Sequence, residues 1–174
     1  MNIKTDSFLK TGTTHVHCQD YVFNKSIKDM NTNEEYYQIV LSDGCSGGEN
    51  AELGSRILCN IMHKNKFTDN DLLLEEIMKN YHKFNESFSN KEFFNLSSMF
   101  ATLLDVLLYN NFIKIKIRGD GGYFIDFTDG TKELSSIEFE SGAPYYPLYN
   151  AYKTKHVDYL RNFGSSPIFL SKKI

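Results

Sequence analysis

The apolar positions of this chain keep a strand-like rhythm at first, a helical one in the middle and a strand-like one again from Ser98 onward. Tyr21 to Asn24 and Tyr36 to Leu41 read as strands, and the polar segment KSIKDMNTNEE between them reads as a surface hairpin connection. Glycines follow in LSDGCSGGENAELGSRIL, Leu41 to Leu58. Beyond them Leu53, Ile57 and Ile61, flanked by Leu58 and Met62, recur at helical steps while Glu49, Glu52, Arg56 and Asn60 fall elsewhere, which predicts a helix with one buried face. Asp69 to Ser89 opens with cap-type residues and carries Leu72, Leu73, Ile77, Tyr81 and Phe84 at the same spacing, a second helix. The stretches MFATLLDVLLY, FIKIKIRG, GYFIDF and KELSSIEF then follow as successive strands, expected as a β-meander. In FIKIKI the lysines Lys114 and Lys116 point to one face and Ile113, Ile115 and Ile117 to the other, so one face is buried. Asp-Gly within Thr128 to Thr131 predicts a type I′ hairpin turn and a structural Asp129. From Ser141 the chain reads as a loop followed by short strands.

A length of 174 residues, 41% of them hydrophobic, suits one core, so residues 1–174 are read as a single domain. Nineteen basic against 22 acidic residues give a net charge of -3 and no basic stripe, which argues against nucleic acid as a partner. The longest apolar stretch, Phe100 to Tyr109, is too short to span a bilayer and contains Asp105, and no signal-peptide core precedes it. The expectation is a cytoplasmic protein with no membrane partner. Cys18, Cys45 and Cys59 form no CxxC pair and are odd in number, which suits reduced thiols and no structural zinc.

Three familiar chemistries are excluded by their missing parts. DGCSGG lacks the Cys-Gly-Ser-Cys-Trp context of a thiol protease, in a chain without Trp. GDGGY lacks the nucleophilic serine of a chymotrypsin-like site. The glycines after Asp43 are not followed by Gly-Lys-Ser/Thr, and Glu49 would repel a phosphate there. What remains is a set of acids where strands meet turns: Asp20, Asp43 and Asp120. Gathered in one core, such carboxylates repel unless protonated or metallated, and oxygen-only ligands favour Mg²⁺ or Mn²⁺. Gly44 would let its carbonyl approach an ion unobstructed. The competing reading makes Asp43-Gly44 a plain strand-ending turn.

Taken in order, HVHCQD (His15 to Asp20), IVLSDGCSGGENAELGSRI (Ile39 to Ile57), FATLLDVLL (Phe100 to Leu108) and IRGDGGYF (Ile117 to Phe124) resemble the PP2C, or PPM, family of metal-dependent Ser/Thr protein phosphatases. The bacterial PP2C-like branch is the nearer likeness, over roughly Gly12 to Asn162. The resemblance implies an α+β fold, a four-layer α-β-β-α sandwich, with two Mg²⁺ or Mn²⁺ ions and a third, weaker one. It implies that Asp43 bridges both ions, that the Gly44 carbonyl binds one, that Asp20 holds metal-bound waters and that Asp120 serves the third. His15 falls where many members place an arginine that grips substrate phosphate, and an imidazole is a weaker clamp. Cys45 stands where other members have a histidine that protonates the leaving oxygen, which leaves that role to water or His17 or makes the step slower, and Gln19 stands where they have a glutamate. The further aspartates of the family's C-terminal third have no match after Phe127, so the likeness is to the first two-thirds of the domain, C-terminally incomplete. The implied activity is hydrolysis of phosphoserine and phosphothreonine in proteins by a metal-bound water, in bacterial-style signalling. The implied partner is a phosphorylated protein, a Ser/Thr kinase or its target. The alternative is a catalytically inactive relative, a binding or regulatory module.

Overall fold

The computed structural model describes residues 3–28, 33–64, 70–88, 94–109, 112–138, 144–151 and 168–173. Strands β1 (Tyr21–Lys28) and β2 (Glu35–Ser42) form an antiparallel hairpin from Tyr21↔Ser42 to Lys28↔Glu35. Both outrun their expected ends, because Lys25 to Lys28 of the supposed connection keep pairing; residues 29–32 of that connection lie outside the described residues. Strand β3 (Leu103–Tyr109) pairs with β2, and β4 (Phe112–Arg118) pairs with β3. Strands β5 (Gly121–Asp126) and β6 (Lys132–Ile137) leave this sheet and pair with each other. Strand β7 (Ile168–Lys173) returns to β4 and completes a five-stranded sheet in the order β1-β2-β3-β4-β7.

The expected meander is therefore split between two sheets. The break falls at Gly119, whose φ of +103° takes the chain out of the first sheet, a conformation that costs a residue without Cβ little. Below that break Ile113, Ile115 and Ile117 pack against Tyr123, Ile125 and Ile137, and this is the seam of the sandwich. The alternation in β4 holds, but its polar face is not a solvent face: Lys116 and Arg118 are buried there with Asp105, which lies opposite Lys116. Gln38 donates its amide to Asp105 at 2.9 Å and to the Met62 carbonyl at 3.3 Å, tying this polar patch to the helical layer. Burial lifts the Asp105 carboxyl and lowers the Arg118 guanidinium to about 10, so desolvation outweighs their mutual attraction.

On the opposite side of the first sheet lie α1 (Ala51–Lys64) and α2 (Asn70–Ser87). Leu58, Cys59, Ile61 and Met62 of α1 join Leu73 and Ile77 of α2, Val40 of β2 and Leu103 of β3 in the main core. The buried stripe of α1 is rotated from the expected one: Leu53 and Ile57 are half-buried, while Ala51, Gly54 and Ser55 are buried. Gly54 explains the rotation, since a Cβ there would stand 1.8 Å from the Ser98 carbonyl oxygen, so only this face lets α1 lie on the 3₁₀ turn Leu96–Met99. Leu72, expected in the core, is 53% exposed, and residues 69 and 89 lie outside the described residues. Met99 to Thr102 precede β3 rather than belong to it, because Asn95 caps the 3₁₀ turn by accepting from the Ser97 amide at 2.8 Å.

The β5–β6 turn also differs in type. Gly130 has a positive φ and Asp129 does not; Gly130 N–H reaches the Phe127 carbonyl at 2.9 Å and Phe127 N–H the Thr131 carbonyl at 2.8 Å. This is a type I turn with a glycine bulge, which needs one left-handed residue where type I′ needs two. Asp129 is structural as expected, accepting from the Thr131 amide at 2.8 Å. Helix pair, five-stranded sheet and hairpin sheet supply three layers of an α-β-β-α sandwich; an outer helical layer has no counterpart among the described residues. No helix among them is long and apolar enough to cross a membrane.

Candidate active site

Asp20 precedes β1 and Asp43 follows β2, so the Tyr21↔Ser42 pair that closes the hairpin sets the two carboxylates side by side. Asp43 is clamped to the third strand as well: Thr102 N–H donates to its carbonyl at 2.8 Å, and its own N–H reaches the Thr102 hydroxyl at 3.2 Å. Leu103 pairs with Arg118, which places Thr102 beside Gly119 and brings Asp120 to the same end of the sheet. Strand register alone thus assembles three acids from distant sequence. The Asp43 carboxyl is pushed up to about 7, first by burial, then by a side-chain hydrogen bond with Asp20, then by the charges of Asp20 and Asp120. Its side chain reaches an open cleft, yet the protein around its base strips enough water to favour the neutral form.

Gly44 is wedged between segments. A Cβ would come within 2.8 Å of the carbonyl oxygens of both Ala51 and Gln19, so glycine is required by packing at this point. Its N–H donates to Gln19 at 3.2 Å, and the bridge to Ala101 is made through Cys45 N–H to Phe100 and Thr102 N–H to Asp43, so neither of those bonds uses the Gly44 carbonyl. Ser55 of α1 donates to the Gln19 carbonyl at 2.6 Å and fixes the approach to Asp20 from behind. The Cys18 thiol lies 4.0 Å from the Asp20 carboxylate. Cys59, by contrast, is buried at the helix–sheet seam, its thiol pushed up to about 12, and all three cysteines are free.

A cleft of about 380 Å³ is lined by His15, Asp20, Asp43, Gly44 and Asp120 together, every site residue expected from the sequence. Gly12 accepts from the His15 amide at 3.1 Å in a tight turn that presents the imidazole. Lys10, Thr102 and Tyr146 also line the cleft and were not singled out by sequence reasoning. Thr102 and Tyr146 carry no spacing signal, since their placement comes from β3 register and from aromatic stacking of a remote segment. Among the described residues no group of three or more His, Cys, Asp or Glu side chains converges closely enough to enclose a metal ion. The three acids nonetheless suit a hard cation that keeps waters: two adjacent carboxylates that repel and a third near enough to be felt, in a cleft that His15, His17 and Cys45 also line.

No family model matches the chain, and no curated protein sequence matches it. Solved structures do. A single-substitution variant of a bacterial serine phosphatase superposes with a TM-score of 0.58 at 20% identity, over 95% of this chain and 69% of that one. The serine/threonine phosphatase Stp1 from Staphylococcus aureus gives 0.54 at 15% identity, over 96% and 70%. The serine/threonine phosphatase PstP/Ppp from Mycobacterium tuberculosis gives 0.54 at 12% identity, over 95% and 71%. The chain has the PP2C-like fold and spans about 70% of the length of these structures.

Proposed function

We propose that this chain is a PP2C-type phosphatase domain acting on phosphoserine and phosphothreonine in proteins, with Mg²⁺ or Mn²⁺ at the Asp43 cleft. The observation that supports it most is the hairpin register that sets Asp43 against Asp20, within reach of Asp120's charge, in a cleft that also holds His15. Asp43, the Gly44 carbonyl and Asp20 are the ligands we assign, with Asp120 for a further, weaker ion. Bound divalent ions supply an acidified water and neutralise phosphoryl charge, which the slow hydrolysis of phosphate monoesters demands. The protein's own part is to fix the carboxylates by backbone pairing and to hold the phosphoryl group. His15 and Lys10 bring nitrogen hydrogen-bond donors to the cleft for that purpose. The substrate is a phosphorylated protein, a Ser/Thr kinase or a kinase target, by analogy with the solved phosphatases.

A second reading keeps the fold without turnover: a module that binds phosphoproteins. It is favoured by the lack of a close three-ligand cluster among the described residues. One assay separates the two. The phosphatase reading expects Mn²⁺-dependent phosphate release from a phosphoserine peptide, abolished by Asp43→Ala. Binding of the peptide without release, unchanged by Mn²⁺, supports the module instead.

A further inference from the structure

Tyr146 enters the cleft from the 3₁₀ segment Pro147–Ala151's leading edge and is only 6% exposed. Its ring stacks on Phe100 at 5.6 Å with 9° between planes, and Tyr149 closes on both rings at 5.3 Å. Phe100 in turn accepts the Cys45 amide at 2.8 Å, so the ring and the Asp43–Gly44–Cys45 turn share one support. The hydroxyl hydrogen-bonds to the Cys45 side chain. A thiol is a weak partner for a phenol, so an ester oxygen entering the cleft would displace it with little loss.

We infer that the Tyr146 hydroxyl is the hydrogen-bond donor to the serine or threonine oxygen that leaves phosphorus, an assignment that rests on the phosphatase reading above. Hydrolysis forms a P–O bond to the oxygen of water and breaks the P–O bond to the side-chain oxygen. One proton of the attacking water stays on the product phosphate and the other passes to solvent; the electron pair of the broken bond stays on the side-chain oxygen, which takes its proton from solvent, while the phenolic proton remains on Tyr146. Burial holds the phenol above its ordinary range, so it stays a donor throughout the working pH range. His17 also lines the cleft, but it is exposed, and among the described residues no stacking or hydrogen bond fixes its ring in the way that Phe100 and Cys45 fix Tyr146. A donor fixed in advance stabilises developing charge more than one that must be ordered first.

The test compares Tyr146→Phe with wild type on two substrates in Mn²⁺: a phosphoserine peptide, whose leaving oxygen is strongly basic, and p-nitrophenyl phosphate, whose leaving group needs no donor. The variant should lose roughly 10²-fold in kcat on the peptide and change little on the aryl ester, as for removal of one preorganised donor. Its melting temperature and calorimetric Mn²⁺ affinity should match wild type. Equal losses on both substrates, no loss on the peptide, or weakened Mn²⁺ binding would each overturn the assignment and make Tyr146 a brace. A wild type inactive on both substrates would instead overturn the phosphatase reading, and this inference with it. Should the variant not fold, a wild-type series of aryl phosphates decides: a shallow dependence of kcat on leaving-group acidity supports the donor, and a steep one contradicts it.

Discussion

Asp43 carries a carboxyl raised from 3.8 to about 7 by burial and by its acidic neighbours Asp20 and Asp120. Because the folded value lies above the unfolded one, its contribution to stability is fully present below about pH 4 and is lost as pH rises through about 7. The metal-free protein should therefore melt at progressively lower temperature from about pH 4 to about pH 7, and Asp43→Asn should flatten that slope and melt higher than wild type at the upper end. Thermal unfolding across pH measures both, and an unchanged slope in the variant would show that the acids do not strain one another. Divalent cation reverses the sense, since the ion displaces the proton and binds better as pH rises. These acids were legible in the sequence because a strand end followed by a turn is a local pattern, visible at Asp20, Asp43 and Asp120 alike. Tyr146 was not, because its position depends on stacking against Phe100 from a segment remote in the chain.

At the scale of elements, the tightest fit is α1 on the 3₁₀ turn that follows α2. Gly54→Ala would gain about 1 kcal/mol of helix propensity. It would also force a methyl group to within 1.8 Å of the Ser98 carbonyl oxygen, and backbone cannot yield as a flexible side chain can. Overpacking of this kind costs about 3 kcal/mol or more, so the steric term wins and urea midpoints should fall accordingly. A stable Gly54→Ala protein would mean that helix and turn are farther apart than described. Periodicity revealed that α1 exists, but it chose Leu53, Ile57 and Ile61 as the buried line, because a period does not record which face must be thin enough for close approach. The same limit applies to β4: alternation oriented Lys116 and Arg118, yet not what covers them, and the second face proved buried. Likewise Asp-Gly marked the β5–β6 turn while its type was set by a single left-handed residue, Gly130.

For the molecule as a whole, the sandwich exists to bring strand ends to one edge. The hairpin β1–β2, the Asp43–Thr102 clamp and the exit from β4 all converge there, and the likeness to bacterial serine/threonine phosphatases covers 95% or more of the chain in the three structures compared. The fold was legible because helix pair and strand runs keep clean periods; the division of the strands between two sheets was not, since sheet membership is decided by contacts such as those of Ile115 with the hairpin. The central claim is that folding gathers Asp20, Asp43 and Asp120 into a nest that a hard cation quiets, and calorimetric titration of Mn²⁺ into the full metal-free chain, read alongside the melting temperature, tests it most directly. Saturable heat and a rise in melting temperature in wild type, both lost in Asp43→Asn, are the predicted result. A wild type that shows neither, or an Asp43→Asn variant that binds Mn²⁺ as tightly as wild type, would contradict it.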